Sequence, residues 1–356
     1  MASLLAMSLS MGRLYLYWVE LARVFFLVSR FCLGMYIVTT NQKLNPPLFF
    51  ANTDGARGHT IFYTFYFWVG VIIDIMKKVV LINGKKQSKL NVFNRLTQFG
   101  DGLFETCVIK DRKLLFWSVH FARLEKGRIQ LKINKVGEEQ WTEDISKALG
   151  IAKLEQAVVK IILSRGESER GYGFKKTLKP TRIVIVSPMP AQIADKYTLS
   201  VCHSGYVNNA LLSHIKHCNR LEQILARINM HGHECIMLNE KGNPISVTQG
   251  NIFGIKDAVL LTPNLDNCGI EGTRRAVILA IALKLKLQVK VGELTLKTLY
   301  DCDEVFISNS VMGVKSVDSI NAKQFTCQTL TQKIAQGLVQ ESQTKQNSVL
   351  LKPSDG

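Results

Sequence analysis

From Lys77 onward, short apolar runs alternate with turn residues in a pattern that predicts strands first and helices afterwards. Val79–Ile82 is apolar throughout and ends in Asn83-Gly84, a pair suited to the positive φ of a tight hairpin turn. A second strand pair is predicted around Phe104–Ile109 and Lys113–Trp117, joined at Asp111-Arg112, so the region should form an antiparallel sheet. The period then changes. Val119, Leu124 and Ile129 recur at near-helical spacing within Ser118–Leu131, and a second helix is predicted over Trp141–Leu149 behind Thr142. Val158–Leu163 and Arg182–Val186 are β-branched runs and read as strands. After Pro188-Met-Pro190 the texture restarts. A helix is predicted over Arg220–Met230, short strands at Cys235–Leu238, Ile252–Gly254 and Ala258–Leu261, and a helix from Thr273 to Leu285. The expected class is α+β, with a small α+β domain over residues 76–190 and a larger domain over 191–340. The tail, 341–356, is rich in Ser, Gln and Lys and is expected to be disordered.

Residues 1–75 have a different texture, with five Lys/Arg, three Asp/Glu and apolar runs such as Ile61–Ile75. That run is too short to span a bilayer comfortably, and Glu20, Arg23 and Arg30 interrupt the longer stretch Leu14–Val38. There is no clean secretory signal. Three readings fit: a membrane-associating extension, an amphipathic targeting segment, or upstream sequence translated from too early a start codon. The last is preferred, because Met76 opens Met-Lys-Lys-Val-Val-Leu-Ile-Asn-Gly, which reads as a natural beginning.

The net charge of +17 raises nucleic acid as a partner, but the basic residues are spread along the chain without an RNA-binding or zinc-finger signature. A solvated basic surface accounts for most of them, and attraction of a small polyanionic substrate is the functional reading. The eight cysteines contain no C-x-x-C pair and no zinc-ligand spacing, so no metal is expected and a reduced, cytoplasmic setting fits.

The segment His214-Ile-Lys-His-Cys-Asn-Arg-Leu-Glu-Gln223 carries the candidate chemistry. A lysine crowded by cationic neighbours, or withdrawn from water, loses proton affinity and becomes a usable amine nucleophile at neutral pH. Gly269-Ile-Glu-Gly-Thr-Arg274 leads into an apolar-periodic helix, and the free N–H groups of a helix N-terminus attract a phosphate that glycine allows to come close.

The stretch IKHCNRLEQ, together with Gln98-Phe-Gly-Asp-Gly102 and Ser164-Arg-Gly-Glu-Ser-Glu-Arg-Gly-Tyr172, resembles the fold-type IV pyridoxal 5'-phosphate enzymes, and among them the aminodeoxychorismate lyases. The resemblance runs from about Lys77 to about Leu338. It implies a two-domain chain whose larger domain has a mostly antiparallel or mixed, barrel-like β core. It also implies a cytoplasmic homodimer acting in folate biosynthesis on a small dicarboxylate. Lys216 would form the Schiff base with pyridoxal 5'-phosphate and serve as acid and base. Gly272, Thr273 and Arg274 would contact the phosphate. Arg123 would pair with it through two charge-assisted bonds, and Ser310 would face it from a strand end. Arg170 and Tyr172 fall where related D-amino-acid aminotransferases bind carboxylates, Arg220 is a further cation near the lysine for a dicarboxylate substrate, and Phe104 would wall the pocket. The pair Asn219-Arg220 is like that of the lyases, where branched-chain aminotransferases typically show Asn-Tyr.

One position departs from the pattern. Related enzymes carry a glutamate for the pyridine nitrogen five residues before the Asn of the N-[LIV]-F motif, and here Ser246 stands there. A hydroxyl cannot stabilise a pyridinium as a carboxylate does. The electron sink is then weaker, which suits a reaction whose product becomes aromatic better than a transamination. A fold-type IV aminotransferase of the D-amino-acid or branched-chain type is the alternative.

Overall fold

The structure, a computed structural model, describes residues 78–352, which lie in the compact unit Trp68–Gly356. The readings made for residues 1–75 fall outside the described residues.

The first sheet is built from β1 (Val79–Ile82), β2 (Lys85–Lys86), β3 (Gly102–Lys110), β4 (Lys113–Leu115), β5 (Gln156–Ser164) and β6 (Thr181–Pro188). A late strand, Ser348–Leu350, β16 in chain order, completes it. The strand order is β16-β4-β3-β5-β6-β1-β2, antiparallel throughout. The short helix α1 (Arg95–Phe99) precedes β3, and α2 (Trp117–Gln130) and α3 (Glu138–Ala152) follow β4. Strand side chains alternate between faces. In β3, Leu103, Cys107 and Ile109 therefore join one core with Val159, Ile161 and Leu163 of β5, closed by Trp117 and Leu124 of α2 and Trp141 and Ile145 of α3.

The second sheet contains β7 (Lys196–Val201), β8 (Glu234–Leu238), β9 (Pro244–Val247), β10 (Asn251–Lys256), β11 (Val259–Pro263), β12 (Gln288–Gly292), β13 (Glu304–Asn309), β14 (Gly313–Ile320) and β15 (Lys323–Gln324). Their order is β12-β11-β10-β13-β14-β7-β8-β9, with β15 beside β14. The sheet is mixed: β11/β12, β14/β7 and β7/β8 run parallel and the other pairs antiparallel. It curls on itself, since β9, at one end of the order, returns through a Val247–Gly250 bridge to lie against β10. This is the expected barrel-like core. Both faces are covered, so Ile252 and Ile307 belong to one apolar cluster while their neighbours Phe253 and Phe306 belong to another, where the two rings stack at 4.7 Å. Helices α4 (Leu221–Ile228), α5 (Thr273–Lys284), α6 (Leu296–Tyr300) and α7 (Thr329–Ser342) accompany this sheet, and α5 and α7 pack on its Phe253 face.

Three expectations change. Trp117 opens α2 rather than ending a strand: Phe116 takes a left-handed φ of 56° and turns the chain directly into the helix. The tail is ordered through residue 352, because β16 pairs with the exposed edge of β4 and buries Leu351. The cysteines are not all free: Cys202, just after β7, is joined as a disulfide to Cys235 of β8. Among the described residues no helix is long and apolar enough to cross a membrane, and no His/Cys/Asp/Glu cluster is placed to hold a metal.

Candidate active site

Lys216 lies in a loop stitched at both ends to other parts of the fold. The Phe104 N–H donates to the Lys216 carbonyl at 2.9 Å and the Cys218 N–H to the Gly102 carbonyl at 2.9 Å, so the loop lies along the start of β3. On its other side the His214 N–H donates to the Gly269 carbonyl at 3.0 Å, in the segment that leads into α5. The lysine amine rests 4.5 Å from the Phe104 ring centre, and the Lys160 amine approaches the same ring at 4.8 Å. Burial above all, with Arg123, Arg220 and Lys160 adding to it and Glu105 opposing, lowers the Lys216 pKa to about 7. Protein walls surround the amine, yet it opens onto a cavity of about 680 Å³. Near neutrality a substantial fraction of it is the free base.

The N-terminus of α5 forms another part of the cavity wall. Gly272 is its cap, and a Cβ there would collide with Asn251 Oδ1, so only glycine lets β10 approach so closely. Thr273 Oγ1 lies 3.0 Å from Ser310 Oγ, and the Arg274 guanidinium stacks 3.9 Å over the Phe116 ring. Burial lowers the Arg274 pKa to about 10, which leaves it a cation at neutral pH. The Ser308 hydroxyl, buried on the same wall, has no hydrogen-bond partner among the described residues.

Arg123 lines the cavity, but its fork is occupied otherwise than expected. Its Nε and Nη2 donate to Glu105 at 2.7 and 2.6 Å, and its Nη1 donates to the Glu271 carbonyl at 2.6 Å. The two-bond geometry assigned to a phosphate is thus given to a carboxylate. Glu105 also meets His120 Nδ1 at 2.6 Å. Burial alone would raise the Glu105 pKa, but Arg123 and His120 bring it down to about 2; burial carries His120 down to about 4. At neutral pH a neutral His120 donates from Nδ1 to an ionised Glu105. Its Nε2 then faces Thr273 Oγ1 and Ser310 Oγ, each at 3.4 Å.

Ser246 is buried in β9, where its hydroxyl donates to the Val247 carbonyl and sits 2.8 Å from Tyr206 Oη. With the serine proton committed to Val247, Tyr206 is the donor in that pair. Arg220 and Phe104 line the cavity. Arg170 and Tyr172 do not. Both are on the exposed β5–β6 loop, Tyr172 is 84% exposed with its ring against Phe99, and neither reaches the cavity.

Sequence reasoning passed over Glu105, His120 and Tyr206. Glu105 had a readable signal: it lies on the inward phase of an alternating strand, between Leu103 and Cys107, where a carboxylate needs a partner. His120 sits one helical turn before Arg123 and so shares its face of α2. Tyr206 gave none, since it lies in an irregular segment.

The groups present fit pyridoxal 5'-phosphate. A near-neutral amine can bond to its aldehyde carbon. A helix N-terminus with Thr273, Ser310, an unpartnered Ser308 hydroxyl and a cationic Arg274 suits its phosphate.

Residues 102–320 match the family described as Amino-transferase class IV. The aminodeoxychorismate lyase of Vibrio harveyi is 32% identical over 251 residues, covering 68% of this chain and 92% of the relative. The crystal structure of 4-amino-4-deoxychorismate lyase from Pseudomonas aeruginosa superposes with a TM-score of 0.69 at 30% identity, over 74% of this chain and 98% of that one. The branched-chain aminotransferase of the thermophilic archaeon Thermoproteus uzoniensis, solved with norvaline, shares the fold at a TM-score of 0.71 and 19% identity, over 77% of this chain and 99% of its own. On this family match and these identities, the chain belongs to the class IV amino-transferase family, the pyridoxal-phosphate enzymes of fold type IV.

Proposed function

We propose that this chain is a lyase that converts 4-amino-4-deoxychorismate to 4-aminobenzoate and pyruvate, in folate biosynthesis. Within a family that also contains aminotransferases, the observation that favours the lyase is the Ser246–Tyr206 pair. It puts two neutral hydroxyls where the family resemblance leads one to expect a carboxylate. A transamination must store a carbanion on the cofactor ring, whereas loss of enolpyruvate from this substrate yields an aromatic product and relies less on that storage. The identity to lyases points the same way.

When bound, pyridoxal 5'-phosphate supplies an aldehyde for the substrate amine and withdraws electrons from the carbon that bears it. The rest falls to the chain. Thr273, Arg274, Ser308 and Ser310 would hold the phosphate, with Arg123 kept in place beside them by Glu105. Lys216 Nζ, which would hold the aldehyde before the substrate arrives, is placed to be the base that takes the proton from C4 of the substrate. As the C3–O bond breaks and its electrons leave with enolpyruvate, the ring becomes aromatic. The proton on Nζ can then pass to the departing enolate, which becomes pyruvate. Glu105 is ionised but wholly engaged and His120 is neutral, so Lys216 is the group suited to carry this proton.

We read residues 76–190 and 191–340 as two domains with the cavity between them, and the working unit as a homodimer. Support for the dimer is an unpartnered stripe on α4, where Leu221, Ile224, Leu225 and Ile228 are all more than half exposed at successive helical turns.

The test is to incubate the pure holoprotein with aminodeoxychorismate and measure both products. Equimolar 4-aminobenzoate and pyruvate are expected, and Lys216→Ala should form neither. Absence of 4-aminobenzoate, with a pyridoxamine form building up on addition of an amino acid, would replace this reading with an aminotransferase.

A further inference from the structure

Four guanidinium groups line the cavity, and among the described residues they are of two kinds. Arg123 and Arg227 are matched by carboxylates, at 2.6 Å from Glu105 and 2.8 Å from Glu234. Arg274 and Arg220 have no carboxylate within ion-pair distance. Arg274 sits at the α5 N-terminus, where a phosphate accounts for it. Arg220 is elsewhere, with its guanidinium carbon 5.9 Å from the centre of the Phe104 ring that the Lys216 amine also touches. Its charge therefore waits beside the reacting amine, away from the phosphate end.

Its hydrogen bonds show the same deficit. The Arg220 Nε donates to the His217 carbonyl at 2.7 Å, which fixes the plane of the group, while its Nη2 is buried without a partner. One turn along α4, Gln223 is only 7% exposed and lines the same cavity, and neither its amide nitrogen nor its amide oxygen has a partner. It approaches the Tyr206 hydroxyl without making a hydrogen bond of ordinary geometry. Burying such groups unpaired is costly, and a fold retains them where a ligand completes them.

We propose that Arg220 and Gln223 form a carboxylate subsite that selects dicarboxylate substrates. The Arg220 Nη2 and the Gln223 amide nitrogen can each donate to one oxygen of a single carboxylate while Lys216 works at the amine-bearing carbon. The choice of a dicarboxylate rests on the lyase reading above; the subsite itself rests on the two unpaired side chains. The outer face of the same helix carries Leu221, Leu225 and Ile228, so the inner polar face cannot be exchanged for them by rotation without burying the stripe in the cavity.

The probe is chorismate, which has both carboxylates of the proposed substrate and a hydroxyl in place of its amine. Its affinity for the holoprotein is measured by calorimetry in the wild type, Arg220→Met, Gln223→Leu and Gln223→Glu, each first shown to keep the absorbance of the bound cofactor. Loss of a charge-assisted hydrogen bond predicts at least about tenfold weaker binding in the first two variants. A larger loss is expected for Gln223→Glu, which brings like charge to the carboxylate. In turnover, KM should rise more than kcat falls. Unchanged affinity and KM in Arg220→Met and Gln223→Leu would overturn the subsite while leaving the lyase reading intact. Chorismate binding that depends on both residues in a protein that forms no 4-aminobenzoate would uphold the subsite and remove the lyase reading. A wild type that does not bind chorismate would overturn the subsite.

Discussion

Glu105 sets the charge balance of the cavity, because it satisfies Arg123 and His120 together. With Glu105→Gln the Arg123 guanidinium would stay buried without a counter-charge, and breaking a buried pair this way costs about 3–5 kcal/mol. A urea titration should show a loss of that order. Because the Glu105 pKa is held at about 2, below its ordinary 4.5, its contribution is whole above about 4.5 and is lost as pH falls through about 2. Wild-type stability should therefore decline across that window more steeply than that of Glu105→Gln. Lys216 works in the opposite range. With a pKa near 7, the rate at which cofactor-free protein captures pyridoxal 5'-phosphate, followed by absorbance, should rise through pH 7 and then level. A rate still climbing toward pH 10 would mean an ordinary lysine. Ser246→Glu should shift the absorption maximum of the bound cofactor, and an unchanged spectrum would place the ring nitrogen away from this residue. At this scale the sequence was informative where chemistry and motif coincide, as at Lys216 and Thr273. It was silent where a side chain acts through an unseen partner: nothing along the chain indicates that Glu105, 18 residues before Arg123, would occupy its fork.

Among the elements, the long alternating strands and apolar-periodic helices were legible. β5, β6 and α5 lie within a few residues of their predicted bounds because each has one buried face to mark it. The short elements were not. β16 has three residues in a polar tail, and it exists because β4 offers an open edge and Leu351 finds a buried site. Its ladder is reinforced by Arg112, which donates to the Lys352 carbonyl at 2.8 Å. Ending the chain at Asn347 removes that pairing and the buried leucine, so a loss of about 2–5 kcal/mol is expected in a denaturation titration. No loss would mean that the tail only rests on the sheet.

For the molecule as a whole, composition and pattern indicated a folded chain of two sheets with helices, and the motifs a cofactor enzyme, but not how two sheets would share one site. The apolar stripe of α4 extends that question to a second copy. Leu225→Glu places a carboxylate in the middle of the stripe, and if a partner covers it, sedimentation should show a shift from dimer to monomer with the cofactor absorbance retained. A wild type that sediments as a monomer would remove the dimer. The stitching of the Lys216 loop has a consequence of its own. Tied on one side to the start of β3 in one sheet and on the other to the approach to α5, the loop acts as a spacer of fixed length. The distance from the amine to the helix end that fits a phosphate is thus gauged by a few main-chain bonds.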